Sequence, residues 1–180
     1  MRAMIKPTSK RKRSLIKNLL LVGVVVAVLS APSTAQTDTK YQHISRQLAA
    51  EALVALKADN AVGAQLLFER SLVADPANTE ALLGLGRSHE AQGRIGRGLK
   101  YYRQALEIEP NDKVALEAQA LAFLKREMFD RADANRAKLV RLCPNGCKAL
   151  DTVEIAIEAY LAEEKTQKTA EAKPEEKPEG

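Results

Sequence analysis

Three stretches decide the fold: Asp75-Pro76-Ala77-Asn78-Thr79-Glu80-Ala81, Glu109-Pro110-Asn111-Asp112-Lys113-Val114-Ala115 and Cys143-Pro144-Asn145-Gly146-Cys147-Lys148-Ala149. Pro76, Pro110 and Pro144 stand 34 residues apart, each in the same setting, and such a spacing is the period of a repeat array. Proline closes one helix and presets φ for a turn, and a following Asn or Asp caps the next helix through its side chain. Between these turns apolar residues recur at steps of three and four, as in Leu82, Leu85, Gly86 and His89, then Leu99, Tyr102, Ala105 and Leu106. Each period therefore holds two amphipathic helices, and Gly93 marks the break between them in the middle period.

Small residues stand at matched places in successive pairs: Ala52, Gly86 and Ala120 in the first helices, and Ala64, Gly98 and Ala132 in the second. Helix axes can approach closely only at such places. The middle period, 79–112, carries Leu82, Leu85-Gly86, Gly93, Gly98, Tyr102, Ala105-Leu106 and Pro110, and it resembles the tetratricopeptide repeat family. Residues 45–78 resemble it through Leu48, Ala52, Ala64, Phe68, Ser71, Leu72 and Pro76, with Ala55 where an aromatic is usual. Residues 113–146 keep Leu116, Ala120, Phe123, Ala132 and Pro144, but Arg136 replaces an aromatic and Leu139 a small residue. The resemblance implies an all-α, right-handed solenoid of three helix pairs. Residues 147–164, with Leu150, Val153, Ile157 and Leu161 at helical spacing and Asp151, Glu154 and Glu158 facing outward, read as a capping helix over the last pair. Residues 165–180 hold Lys, Glu and Pro but no large apolar side chain, a composition expected to be disordered.

The charge is unevenly placed. The chain has 180 residues, 28 Lys plus Arg and 23 Asp plus Glu. Residues 1–35 contain Arg2, Lys6, Lys10, Arg11, Lys12, Arg13 and Lys17 and no acid, so the remainder is mildly acidic, 21 against 23. The basic run leads into an uncharged apolar stretch, 19–29, and then into Ser33-Thr34-Ala35-Gln36. This is the plan of a secretory signal peptide cleaved after Ala35, with 36–44 as a lead-in to the repeats. The apolar stretch falls short of the roughly 20 residues that span a bilayer. An uncleaved N-terminal anchor is the alternative. A basic charge confined to this segment points to no nucleic-acid partner, and to a membrane only through an uncleaved segment.

Cys143 and Cys147 form the one reactive constellation in the chain. Three residues separate them, whereas thioredoxin-like and zinc motifs use two. In an exported chain the turn between them suits a structural disulfide; a thiol-disulfide redox centre and a free thiol pair are the other readings. His43 and His89 lie on predicted helices without a catalytic spacing, Glu154 and Glu158 read as a solvated face, and the glycines form no phosphate-binding loop. No catalytic, metal or cofactor site is expected.

The family resemblance implies a concave face lined by the first helices of the pairs, which commonly holds a peptide or partner helix. On this chain that face comprises Arg46, Leu53, Lys57, Glu80, Leu83, Arg87, Glu90, Glu117, Leu121 and Lys125. Family members that clamp a terminal carboxylate use Lys, Asn and Arg where this chain has Ala49, Leu53, Gly84, Val114 and Ala118, so that ligand is disfavoured. The expectation is a non-catalytic adaptor for a protein or peptide partner in the bacterial envelope. A redox protein using Cys143 and Cys147, or a membrane-tethered assembly factor for pili or cytochrome maturation, are the alternatives.

Overall fold

In a computed structural model, residues 34–171 are described, and among them the regular secondary structure is all α-helix. The helices are α1 (Thr34–Lys57), α2 (Ala61–Ala74), α3 (Thr79–Ala91), α4 (Ile95–Ile108), α5 (Lys113–Leu124), α6 (Phe129–Leu142) and α7 (Lys148–Glu171). The chain divides into two units, Met1–Thr39 and Lys40–Gly180, and the repeats lie in the second. The expected signal peptide lies almost wholly outside the described residues. The expected cut between Ala35 and Gln36, and the lead-in 36–44, fall within α1.

Two kinds of turn join the helices, and both recur every 34 residues. Between pairs, the N–H of Asn78 donates to Asp75 O at 3.2 Å, that of Asp112 to Glu109 O at 3.1 Å and that of Gly146 to Cys143 O at 2.9 Å. Proline at the second position presets the φ that such a turn needs. The Asn78 side chain then accepts the Ala81 N–H at 3.1 Å, and Asp112 accepts that of Val114 at 2.8 Å, capping α3 and α5. Gly146 has no side chain for this task, and α7 begins one residue late behind Cys147, whose carbonyl accepts the Asp151 N–H at 3.0 Å. Within pairs, Asp59, Gly93 and Glu127 all take positive φ, at 57°, 74° and 57°. The N–H that follows each reaches back to Ala55, His89 or Phe123 at 2.8 to 3.0 Å, closing the helix end. Glycine alone adopts this conformation without steric cost, so the sequence exposed one of three equivalent turns.

The small residues sit where helices touch. Ala52, Ala64, Ala120 and Ala132 are fully buried. A Cβ on Gly86 would lie 2.3 Å from Tyr102 Cε1, and one on Gly98 would lie 2.9 Å from Gly86 O. The core is a row of apolar clusters, each spanning neighbouring pairs: Phe68 with Ala52 and Leu85, Tyr102 with Leu82 and Ala115, and Leu139 with Leu116 and Val153. Ala105 and Leu139 occupy matched places and are both wholly buried, so the larger side chain of the third pair is absorbed by the helix that follows it.

That helix, α7, keeps the period. Ala149, Leu150 and Val153 are buried as Ala115 and Leu116, and before them Ala81, Leu82 and Leu85, are. It thus stands as the first helix of a fourth pair, with no second helix packed on it among the described residues. Where Gly86 and Ala120 would admit that second helix, α7 has Glu154, which does not simply face solvent but lies 4.0 Å from Arg136. At the other end Gln47 and Glu51, exposed and hydrogen-bonded at 3.3 Å, stand where later pairs bury Ala81 and Leu85.

One expectation is corrected. α7 runs to Glu171, so residues 165–171 are helical rather than disordered, while 172–180 lie outside the described residues. Composition denies this stretch a core but supplies good helix formers, a Glu164–Lys168 pair at 3.8 Å and threonine hydroxyls donating to Ala162 and Lys165 carbonyls.

Candidate binding groove

Spacings of seven and four place Arg46, Leu53 and Lys57 on one side of α1, and Glu80, Leu83, Arg87 and Glu90 recur similarly on α3. Glu117, Leu121 and Lys125 follow on α5. The structure joins these faces. Arg46 and Glu80 line one pocket of about 300 Å³ with Gln42 and Thr79, and Lys125 Nζ meets Glu90 Oε1 at 3.3 Å across α3 and α5. Arg46, Lys57, Glu80, Arg87 and Lys125 are exposed, while Leu53, Glu90, Glu117 and Leu121 are half-buried.

Leu83 does not belong to this surface. It is only 7% exposed and packs in the cluster that holds Ala115, Ala118 and Ala122 of α5. Periodicity placed it on the groove face, but those alanines let α3 and α5 approach until the position between them closes. Glu90 is also drawn inward. It accepts the Tyr102 hydroxyl besides pairing with Lys125. Burial first, and then the Glu90 carboxylate, push that hydroxyl well above the usual phenol range. Glu90 and Lys125 therefore tie α3, α4 and α5 together at the groove wall. By contrast, Arg46, Lys57 and Arg87 have no ion-pair partner among the described residues.

Two polar clusters escaped sequence reading. Asn78 Nδ2 donates to Ser45 Oγ at 2.8 Å, Ser45 and Ser71 hydroxyls meet at 2.8 Å, and Ser71 Oγ returns to Ser45 O at 2.8 Å, all buried. The partners stand up to 33 residues apart; Asn78 carried a signal as a helix cap and Ser71 as a repeat position, but neither signal pointed to Ser45. In the second, Gln65 accepts from Arg94 at 2.6 Å and from Gln92 at 3.1 Å, linking α2 to the α3–α4 turn. His89 lies beside it, 2% exposed and stacked on Tyr101 with centroids 5.3 Å apart. Burial, then the Arg94 and Arg97 charges, lower its pKa from the ordinary histidine value. His43 is exposed.

Cys143 and Cys147 form a disulfide with Cα atoms 5.8 Å apart, joining the C-cap of α6 to the residue before α7. Among the described residues no group of three or more His, Cys, Asp and Glu is placed to hold a metal ion, and no helix is long and apolar enough to cross a membrane.

Stacked helix pairs with matched turns and a continuous first-helix face define a solenoid-like all-α repeat protein. Residues 79–112 match the tetratricopeptide repeat family in sequence. The chain has the tetratricopeptide-repeat fold, as solved structures show. The type III secretion translocator chaperone SycD of Yersinia enterocolitica is 20% identical, with a TM-score of 0.61 over 68% of this chain and 95% of its own. The first TPR domain of human RPAP3 is 15% identical, with a TM-score of 0.61 over 69% and 98%. The Sgt2 TPR domain of Aspergillus fumigatus is 18% identical, with a TM-score of 0.63 over 75% and 88%. SycD has also been solved with a peptide of the translocator YopD, at 20% identity and a TM-score of 0.59 over 66% and 93%. No curated protein matches the sequence.

Proposed function

We propose that the protein is a non-catalytic adaptor of the bacterial cell envelope that holds a segment of a partner protein along the α1–α3–α5 face. The observation that carries this reading is the row of cations Arg46, Lys57 and Arg87, without ion-pair partners among the described residues, beside half-buried Leu53 and Leu121. It offers carboxylate-seeking groups and apolar contacts on one face. The capture of a YopD peptide by SycD, which shares the fold, supports it. The envelope location rests on the basic and apolar N-terminal segment and agrees with a disulfide, which persists in oxidising compartments.

Arg87 and Lys57 are exposed and outside the core, so Lys57→Glu with Arg87→Glu reverses the face without disturbing packing. In quantitative pull-downs from envelope extracts the double variant is expected to lose at least about tenfold in partner affinity, roughly 1.4 kcal/mol. N-terminal sequencing of the recovered wild-type protein should read from Gln36. Unchanged affinity would remove the groove from the function, and recovery of a product retaining residues 1–35 would replace cleaved export by tethering.

A further inference from the structure

His89 breaks the register of the repeat. Its matched places hold Ala55, Phe123 and Ile157, all apolar, so one unit in the row carries a titratable ring where the others carry hydrocarbon. The ring is 2% exposed. It lies flat on Tyr101 of α4, with the planes 10° from parallel, and its Nδ1 has no hydrogen-bond partner. The side-chain acceptors of the neighbouring cluster are already engaged. Gln65 Oε1 takes Arg94 Nη2 and Gln92 Nε2, Gln92 Oε1 takes Arg94 as well, and Glu69 takes Gln65 Nε2 at 2.7 Å. Arg94 Nε is itself buried without an acceptor and would compete for any that came free. A protonated imidazole donates from both nitrogens, so the cation would hold a buried N–H with nothing to receive it.

The charges around the ring set the direction of the effect. Glu69 of α2 favours a proton on His89, whereas Arg94 of the α3–α4 turn and Arg97 of α4 oppose one. Lys100 of α4 adds a third cation, 5.8 Å from the centre of the Tyr101 ring on which His89 is stacked. The last turn of α3 favours positive charge through the helix dipole. Burial, with the two arginines behind it, outweighs both favourable contributions and holds the pKa below the ordinary 6.5. A ring released to water returns to that ordinary value. The opened form therefore binds a proton that the closed form refuses. Closure is strongest above about 6.5, weakens as the pH falls from there to the lowered value, and changes no further below it.

We infer that His89 is an acid-operated latch between the first and second helix pairs: on taking up a proton it loosens α2 from the α3–α4 turn, while the third pair and α7 stay closed. The effect is local because the chain has two histidines, His43 and His89, and the later matched places are filled by Phe123 and Ile157. Tyr101 also walls a hollow of about 420 Å³ between α2 and α4, shared with Leu72, Leu82, Gln104 and Glu107, so the stacked ring has free volume beside it. Lys57 belongs to the first pair and Arg87 to the second. Acid release of a segment lying across both follows, and that consequence rests on the groove reading above.

Amide hydrogen–deuterium exchange of the full-length chain from about pH 7.5 to about pH 5, corrected for the intrinsic rate, reads the opening helix by helix and needs no partner. Opening of α2 and α3 should rise as the pH falls below about 6.5, by no more than about tenfold per pH unit, and that of α6 and α7 should not. His89→Phe, which gives this place the side chain that Phe123 has in the next pair, should make α2 and α3 indifferent to pH over this range. His89→Gln, neutral and polar, guards against a packing effect of the larger ring and should behave alike. In His43→Gln the one remaining imidazole should be seen by NMR to protonate over the range in which α2 opens. Exchange in the wild type that ignores pH overturns the inference, as does opening shared equally by α6 and α7, or acid opening that persists in both neutral variants. Acid opening with unchanged partner affinity would uphold the latch and count against the groove.

Discussion

A methyl group on Gly86 would meet Tyr102 Cε1 at 2.3 Å, and one on Gly93 would meet nothing within 4 Å. The two glycines therefore fail differently on substitution. Gly86→Ala must move a fully buried ring that Glu90 also holds through its hydroxyl, and a loss of about 2–3 kcal/mol is expected. Gly93→Ala meets only the cost of a positive φ, about 1 kcal/mol. Urea unfolding of both variants checks the order; a Gly93→Ala cost equal to or above that of Gly86→Ala would mean that turn strain, not helix approach, limits the fold. Single residues were legible where the repeat marked them, as with Gly86 and the Asn78 cap. They were illegible where a partner comes from another helix. Leu83 repeats on the groove side of α3, yet its burial follows from the separation of α3 and α5, which no periodicity within α3 encodes. Ser45 looks like an ordinary polar helix residue, and Ser71 like one more repeat position, until stacking brings their hydroxyls together.

At the scale of helices, the turn between α6 and α7 breaks the pattern of its equivalents and replaces a side-chain cap by a covalent link. Asn78 and Asp112 hold the starts of α3 and α5, whereas Gly146 leaves that place empty and Cys143–Cys147 bridges the two helix ends. A closed loop of about five residues restrains little chain entropy, about 2 kcal/mol. Replacing both cysteines by Ser is thus expected to lower stability by no more than that and to leave partner affinity unchanged. Urea midpoints of the wild type with and without reductant, beside the double variant, measure it. An unfolded double variant would show that the link, and not the α7 core contacts, holds the cap. The helix pairs themselves were legible because apolar spacing and punctuation agree. The end of α7 was not, because residues 165–171 gain order from local propensity and pairing, which a count of buriable side chains ignores.

Across the unit Lys40–Gly180, stability flows between neighbouring pairs and ends at α7, which covers Leu116 and Leu139 with Val153 and Ile157. A chain ending after Gly146 would uncover both leucines, one 2% and the other 0% exposed in the intact protein. It should unfold at lower urea with reduced cooperativity and scatter light as it associates; a shortened chain with the parent's midpoint and a monomeric mass would deny α7 its capping role. The 34-residue period marks the successive helix pairs in the sequence, because the same turn residues recur at Pro76, Pro110 and Pro144. Val62, Leu66 and Val73 of α2 are 69%, 60% and 85% exposed, which the sequence alone did not signal, since a periodic apolar residue reads as core by default.

The register that α7 shares with α3 and α5 also bears on how such a gene can grow. Because α7 still counts in steps of 34 while Glu154 occupies the place through which a companion helix would approach, the described array ends on half a unit. Whole units copied in ahead of α7 would meet it in phase, so the number of pairs can change by duplication without altering the helix that covers the last of them.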